Sequence, residues 1–220
     1  GEPAWPSPGG DGRPGWHIEC SAMSMEHLGE SFDIHAGGND LVFPHHENEI
    51  AQSEGATGKP YAGYWMHGGM INVVKEDAEA DAPEVEKMSK SLGNFWTVRD
   101  VLGVYDPEVV RFFMLTSHYR MPCTWSVSMM EEAHARLEYL YTTLHRINQS
   151  LAKADSIPER GNFVSPAREV LQRFFDDFHD GMCDDFNVPA ALVPLGELSK
   201  TANELTKTKK KPPTDTAYTL

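Results

Sequence analysis

Cysteine is scarce in this sequence. Its three cysteines, Cys20, Cys123 and Cys183, lie far apart, which does not make a disulfide framework and fits a reducing compartment. A cytoplasmic location is the expectation, without excluding an organelle. No apolar run approaches the length of a membrane span, and the N-terminus has no signal-peptide pattern, so no membrane partner is expected. Positive charge is also in short supply. Nineteen Lys and Arg stand against 33 Asp and Glu, a net charge of −14, which argues against a generic nucleic-acid coat protein.

What is present describes a folded enzyme-sized chain. With 220 residues, 40% hydrophobic and 10% aromatic, it can bury one large core or two modest ones. The acid is unevenly placed: Glu76, Asp77, Glu79, Asp81, Glu84 and Glu86 crowd one stretch, read as an exposed loop insertion over 75–86. Lys207, Lys209, Lys210 and Lys211 form a basic cluster, read as a solvated helix end or tail in preference to a polyanion site. There is no internal repeat.

Along the chain, the Gly- and Pro-rich residues 1–15 predict irregular structure. Trp16 to Glu19 reads as a short strand, followed by a helix over Ser21 to Leu28 that Gly29 ends. Phe32 to His35 alternates like a strand and runs into Gly37-Gly38, where backbone can approach a ligand closely. A helix is predicted from Pro44 to about Gly55, then strands at Tyr64–His67 and Ile71–Val74. Strands and helices alternating at this spacing predict βαβ units and a parallel sheet. Further on, Asp106 and Pro107 cap a helix with Val109, Val110, Phe113 and Met114 on one side. Leu137, Leu140, Leu144, Ile147 and Leu151 continue a helical stripe from Glu131. After a break at Pro158 to Pro166, two more helices near 167–181 and 188–206 complete a bundle.

Two motifs carry chemistry. The first is Pro44-His45-His46-Glu47-Asn48-Glu49, read with Cys20. On a helix His45 and Glu49 sit at i and i+4, and an imidazole, a carboxylate and a thiolate are all zinc ligands. Three protein ligands with a fourth position open is the arrangement of a zinc site that handles substrate. The same run also suits a capped, solvated first turn, and pattern alone leaves both readings standing. His46, about 100° round the helix from His45, reads as a packing or supporting residue. The second motif is Lys87-Met88-Ser89-Lys90-Ser91, in which two lysines and intervening hydroxyls can wrap a polyphosphate and stabilise charge that develops as pyrophosphate leaves.

That pentapeptide resembles the Lys-Met-Ser-Lys-Ser signature of class I aminoacyl-tRNA synthetases. Gly15-Trp16-His17-Ile18-Glu19-Cys20-Ser21-Ala22-Met23, Phe32-Asp33-Ile34-His35, Asp40-Leu41 and the Phe43 to Glu49 run are similar to the cysteinyl-tRNA synthetases. Asp184-Asp185-Phe186-Asn187 resembles part of that family's helical tRNA-binding domain. The resemblance implies an α/β fold: the second half of a Rossmann-type catalytic domain, followed by an α-helical bundle. It divides the chain into a catalytic portion at 1–95, a connecting segment at 96–130 and a helical domain at 131–220.

The implied activity is ATP-dependent activation of L-cysteine and its transfer to cysteine tRNA. Zn2+ would bind the substrate thiolate, and ATP would enter with Mg2+. Cys20, His45 and Glu49 match the family's metal ligands. Lys87 and Lys90 match its phosphate-binding catalytic lysines, Gly37, Gly38 and Asp40 its adenosine-binding strip, and Trp16 and His35 its amino-acid pocket. The family also has a first Rossmann half with a His-Ile-Gly-His string and a further zinc-binding cysteine. Neither is found here, so the resemblance implies a fragment whose partner is the missing N-terminal half, and which does not activate cysteine alone. Two other functions fit the same residues: a non-catalytic zinc- or RNA-binding module, and a ligase passing cysteine to an amino sugar.

Overall fold

A computed structural model describes residues 3–74, 85–87, 96–153 and 166–207, with the backbone alone at 85–87 and 166–167. The chain forms two compact units, Gly1–Met70 and Ile71–Leu220.

The first unit opens with helix α1, Trp16–Leu28. Residues Trp16 to Glu19, read as a strand, are its first turn, with the Glu19 N–H donating to the Gly15 carbonyl at 3.3 Å. Helical spacing is what lets His17 and Ser21 face the same neighbours, whereas strand alternation would send them to a common face with Glu19. Gly29, at φ 94°, ends the helix as expected.

Strand β1, Phe32–Gly38, pairs in parallel with β2, Ala62–Gly68, in a register that sets Gly37 against His67 and Gly38 against Gly68. The crossover between them holds a 3-10 turn at Asn39–Leu41, a wide turn at Val42–His46 and helix α2, Glu47–Thr57. The α-helix therefore starts three residues after Pro44. Phe43 is extended, at φ −135° and ψ 134°, so the regular helix cannot include it and begins only at Glu47. Gly58, at φ 70°, closes α2 in the left-handed conformation.

Among the described residues of this unit, Ser21, His45, His46, Glu49, Ser53 and Tyr61 are buried. Five of those six carry polar or ionisable side chains and the sixth is a phenol. Side-chain hydrogen bonds of Ser21, His45, His46 and Glu49 run through this interior, as buried polar groups require.

In the second unit, β3 (Ile71–Val74) lies between β4 (Val85–Lys87), antiparallel, and β5 (Cys123–Trp125), parallel. Val85 and Glu86 are thus paired strand residues where an exposed loop was expected. The rest of that acidic stretch, residues 75–84, lies outside the described residues. Helix α3, Val98–Leu102, starts on a Thr97–Asp100 capping box. Helix α4, Pro107–Leu115, starts with Asp106 as cap and Pro107 in its first turn, as the sequence predicts. Helix α5 is Val127–Ala152 and begins four residues before Glu131, because Ser126 accepts from the Met129 N–H and caps it there.

Val73, Val101, Val109, Phe113, Cys123, Trp125, Met130 and Ala133 form one apolar core, with Val110 and Leu137 packed on it. Met114 and Leu144, both counted in the apolar helical stripes, are exposed. Helices α6, Pro166–Cys183, and α7, Val188–Thr206, pack together and α7 also packs on α5. The predicted break is described only from Pro166 onward.

Candidate metal centre

Helix α1 supplies Cys20, the wide turn supplies His45, and the first turn of α2 supplies Glu49. One ligand atom from each lies within 4.8 Å of the other two. Zinc with bonds of about 2.0–2.3 Å holds tetrahedral ligands roughly 3.3–3.8 Å apart, so small movements would bring the three to bonding distance. His45 and Glu49 do stand at i and i+4, with Nε2 and Oε1 separated by 3.1 Å.

Glu49 is fully buried, and its Oε1 has no hydrogen-bond partner although His45 is near. The free lone pairs, the adjacent imidazole nitrogen and the thiol form a donor set that a soft divalent cation fits. Burial, and then the Glu49 charge, push the Cys20 thiol above its ordinary pKa. A cation at this point would reverse that, because a coordinating thiol is deprotonated.

Around these three lies a ring of further side chains. His17 Nδ1 is 2.6 Å from His45 Nδ1. His35 Nε2 donates to Glu49 Oε2 at 2.6 Å. His46, in the wide turn before α2, is buried, and its Nδ1 shares a 2.8 Å hydrogen bond with His67 Nε2. Burial holds the His46 imidazole below its ordinary pKa. Ser21 bonds Gln52 at 2.8 Å, tying α1 to α2 beside the cluster. His35, His46 and Glu49 also bring ligand-type atoms together, but two of the nitrogens are already engaged by hydrogen bonds.

The glycines beside this cluster are there for space. A Cβ on Gly37 would stand 2.7 Å from His46 Cε1, and one on Gly38 would collide with Asp40 Oδ1. Both sit at the C-terminal end of β1, the edge where open α/β sheets bind ligands.

Residues 1–135 match the family described as tRNA synthetases class I (C) catalytic domain, and residues 177–218 match the DALR domain. The chain belongs to the class I tRNA synthetase family. Within it, the chain is 54% identical over 205 residues to the cysteine–tRNA ligase of Syntrophotalea carbinolica, covering 93% of this chain and 39% of that protein. It is 49% identical over 215 residues to the cysteine–tRNA ligase of Thermococcus onnurineus, covering 96% and 42%. The chain thus spans about two-fifths of these relatives' length. The LeuRS of Agrobacterium radiobacter K84, solved in a ternary complex with tRNA and LeuAMS, shares the fold. Its TM-score is 0.65 at 17% identity, over 98% of this chain and 30% of that one. The α/β fold of a class I synthetase catalytic portion followed by helices is therefore established.

The other residues expected to serve a synthetase site fall as follows. Trp16 is exposed, with its ring centroid 4.2 Å from that of His45. His35 is mostly buried against Glu49, and Asp40 is exposed on the 3-10 turn. Lys87 ends β4, and Lys90 lies outside the described residues. His17 and His67 had no role in the sequence reading. His17 stands at i, i+3 from Cys20 on α1, a spacing that would have flagged it, whereas His67 meets His46 only through tertiary structure.

Proposed function

We propose that this chain is the cysteine-selecting and phosphate-binding part of a cysteine–tRNA ligase, which activates L-cysteine with ATP and passes it to cysteine tRNA. The observation that carries this reading is the Cys20, His45 and Glu49 triplet, half-buried at Cys20 and buried at the other two, with Glu49 Oε1 making no hydrogen bond. The names of the relatives agree with it. Zinc held by Cys20, His45 and Glu49 would supply a position that takes a thiolate sulfur in preference to a hydroxyl. Ordinary pocket contacts separate such close analogues only by roughly 10–200-fold, which is the reason to use a metal.

The chain's own groups do the rest of the work. Trp16 lies over His45 with an exposed ring, and in this reading it covers the amino acid's side chain. Gly37 and Gly38 let a nucleoside approach the strand ends, and Asp40 accepts from a ribose hydroxyl. Lys87 and Lys90 hold the phosphates of ATP with its Mg2+ and stabilise charge on departing pyrophosphate. The helices beyond residue 131 contact tRNA. A reducing compartment such as the cytoplasm keeps Cys20 free to ligate.

Elemental analysis tests the metal. About one zinc per chain is expected, with little in Cys20→Ser, and an unmutated chain that takes up no zinc would overturn the reading. Aminoacylation by the full-length parent tests the acceptor: transfer of cysteine to an amino sugar in place of tRNA would sink that part.

A further inference from the structure

We propose that His35 is a positioning residue of the metal centre, holding one oxygen of Glu49 so that the other faces the ligands. This inference rests on the metal reading above and deepens it. Glu49 Oε2 accepts from His35 Nε2–H at 2.6 Å, while Oε1 is left without a hydrogen bond, 3.1 Å from His45 Nε2. A carboxylate can rotate about its last torsion and present either oxygen or both. A donor fixed on Oε2 removes that freedom and reserves Oε1 as a single, oriented ligand atom.

His35 is built to be such a fixed donor. It stands on β1, so the paired strands set its backbone. Its ring centroid lies 5.6 Å from Phe32, 5.6 Å from Tyr61, 4.8 Å from Trp65 and 4.9 Å from His46. These four rings hold the imidazole plane. With its side chain 16% exposed, little of the ring is left for a substrate, which separates His35 from the exposed Trp16. The hydrogen also belongs on Nε2, since a carboxylate can only accept there. His35 therefore acts through Glu49 and is not itself a ligand.

Zinc affinity, measured by competition with a chromophoric chelator, tests this, together with the absorption spectrum of the Co2+-loaded protein. His35→Leu removes the donor while filling much of the space, and is expected to weaken zinc by about 10–100-fold and to alter the cobalt bands. His35→Gln keeps an N–H at similar reach and is expected to restore both the affinity and the unmutated spectrum. Should His35→Leu fail to fold by circular dichroism, His35→Asn, polar but too short to reach Oε2, replaces it with the same expected loss. Unchanged affinity in the donor-less variant overturns the proposal. So does a Gln variant as weak as the Leu one, which would make packing the cause. Displaced cobalt bands in His35→Gln would make His35 a ligand and equally overturn it. Failure of the unmutated protein to bind zinc is a distinct result that removes the metal reading first.

Discussion

His17 and His45 meet nitrogen to nitrogen, with Nδ1 to Nδ1 at 2.6 Å. Only one of the two can carry the hydrogen. On its other side, His45 presents Nε2 to Glu49 Oε1, the direction in which a ligand lone pair must point. With a metal bound at Nε2, as proposed above, that nitrogen would be bare and the hydrogen would stand on Nδ1, so His45 would donate and His17 accept. The contact joins helix α1 to the wide turn and, in the proposed metal centre, would also set the tautomer of His45.

Replacing His17 with Phe keeps a ring beside Trp16 and His45 but removes the acceptor. Zinc affinity is expected to fall by about 10-fold or more. Chelator competition measures it, and an affinity equal to the unmutated protein's would assign the His45 hydrogen to another partner.

Gly37→Ala should destabilise the first unit. The added methyl would stand 2.7 and 2.8 Å from the buried His46 ring, and that ring is tied to His67, so it has no room to retreat. A cost of about 1–3 kcal/mol is expected, as for other overpacked interiors. Urea denaturation followed by tryptophan fluorescence reads this directly, since Trp65 contacts His46.

Asp185 predicts an acid-dependent contribution in the second unit. Arg120 binds both its oxygens and the Tyr119 hydroxyl donates to it at 2.7 Å, holding its carboxyl down from 3.8 to about 2. The folded state therefore favours the ionised form. Its contribution is complete above about pH 4 and is lost as pH falls towards 2. Melting temperatures of Asp185→Asn and the unmutated protein should differ at neutral pH and converge on acidification; a gap that stays constant with pH would exclude the ion pair as its source.

Asn203 is the polar hub between α5 and α7. Its side chain donates to Thr143 Oγ1 at 2.6 Å and to the Ser199 carbonyl at 3.0 Å, and accepts from Arg146 at 2.8 Å. Asn203→Leu removes three hydrogen bonds from a buried side chain, and a loss of about 1–3 kcal/mol is expected. Equilibrium denaturation of the variant gives the value, and no loss would mean that the partners re-pair.

Much of this was legible in the sequence where local chemistry decides. Asp106-Pro107 caps α4 because both residues prefer that place in any context, and Gly29 ends α1 for the same reason. The His45 and Glu49 pairing was legible because i and i+4 stay neighbours even though the regular helix begins only at Glu47. The strand reading of Trp16 to Glu19 failed because a four-residue alternation is too short to separate the two periods. Ser126 as the start of α5 was missed because the apolar stripe becomes obvious only later. The pairings of His17, His35, His46 and His67 depend on the β1–β2 register and on how α1 meets the turn before α2, which no local pattern carries.

The interior of the first unit also sets what that unit can become. An apolar core tolerates exchange among residues of similar volume, so its sequence can drift while its shape persists. Here Ser21, His45, His46, Glu49 and Ser53 fill the interior, and an apolar isostere at most of these places strands a partner instead of replacing a volume. The permitted alphabet is thus fixed by lone pairs and hydrogens, and mutational freedom in this unit lies on its outside.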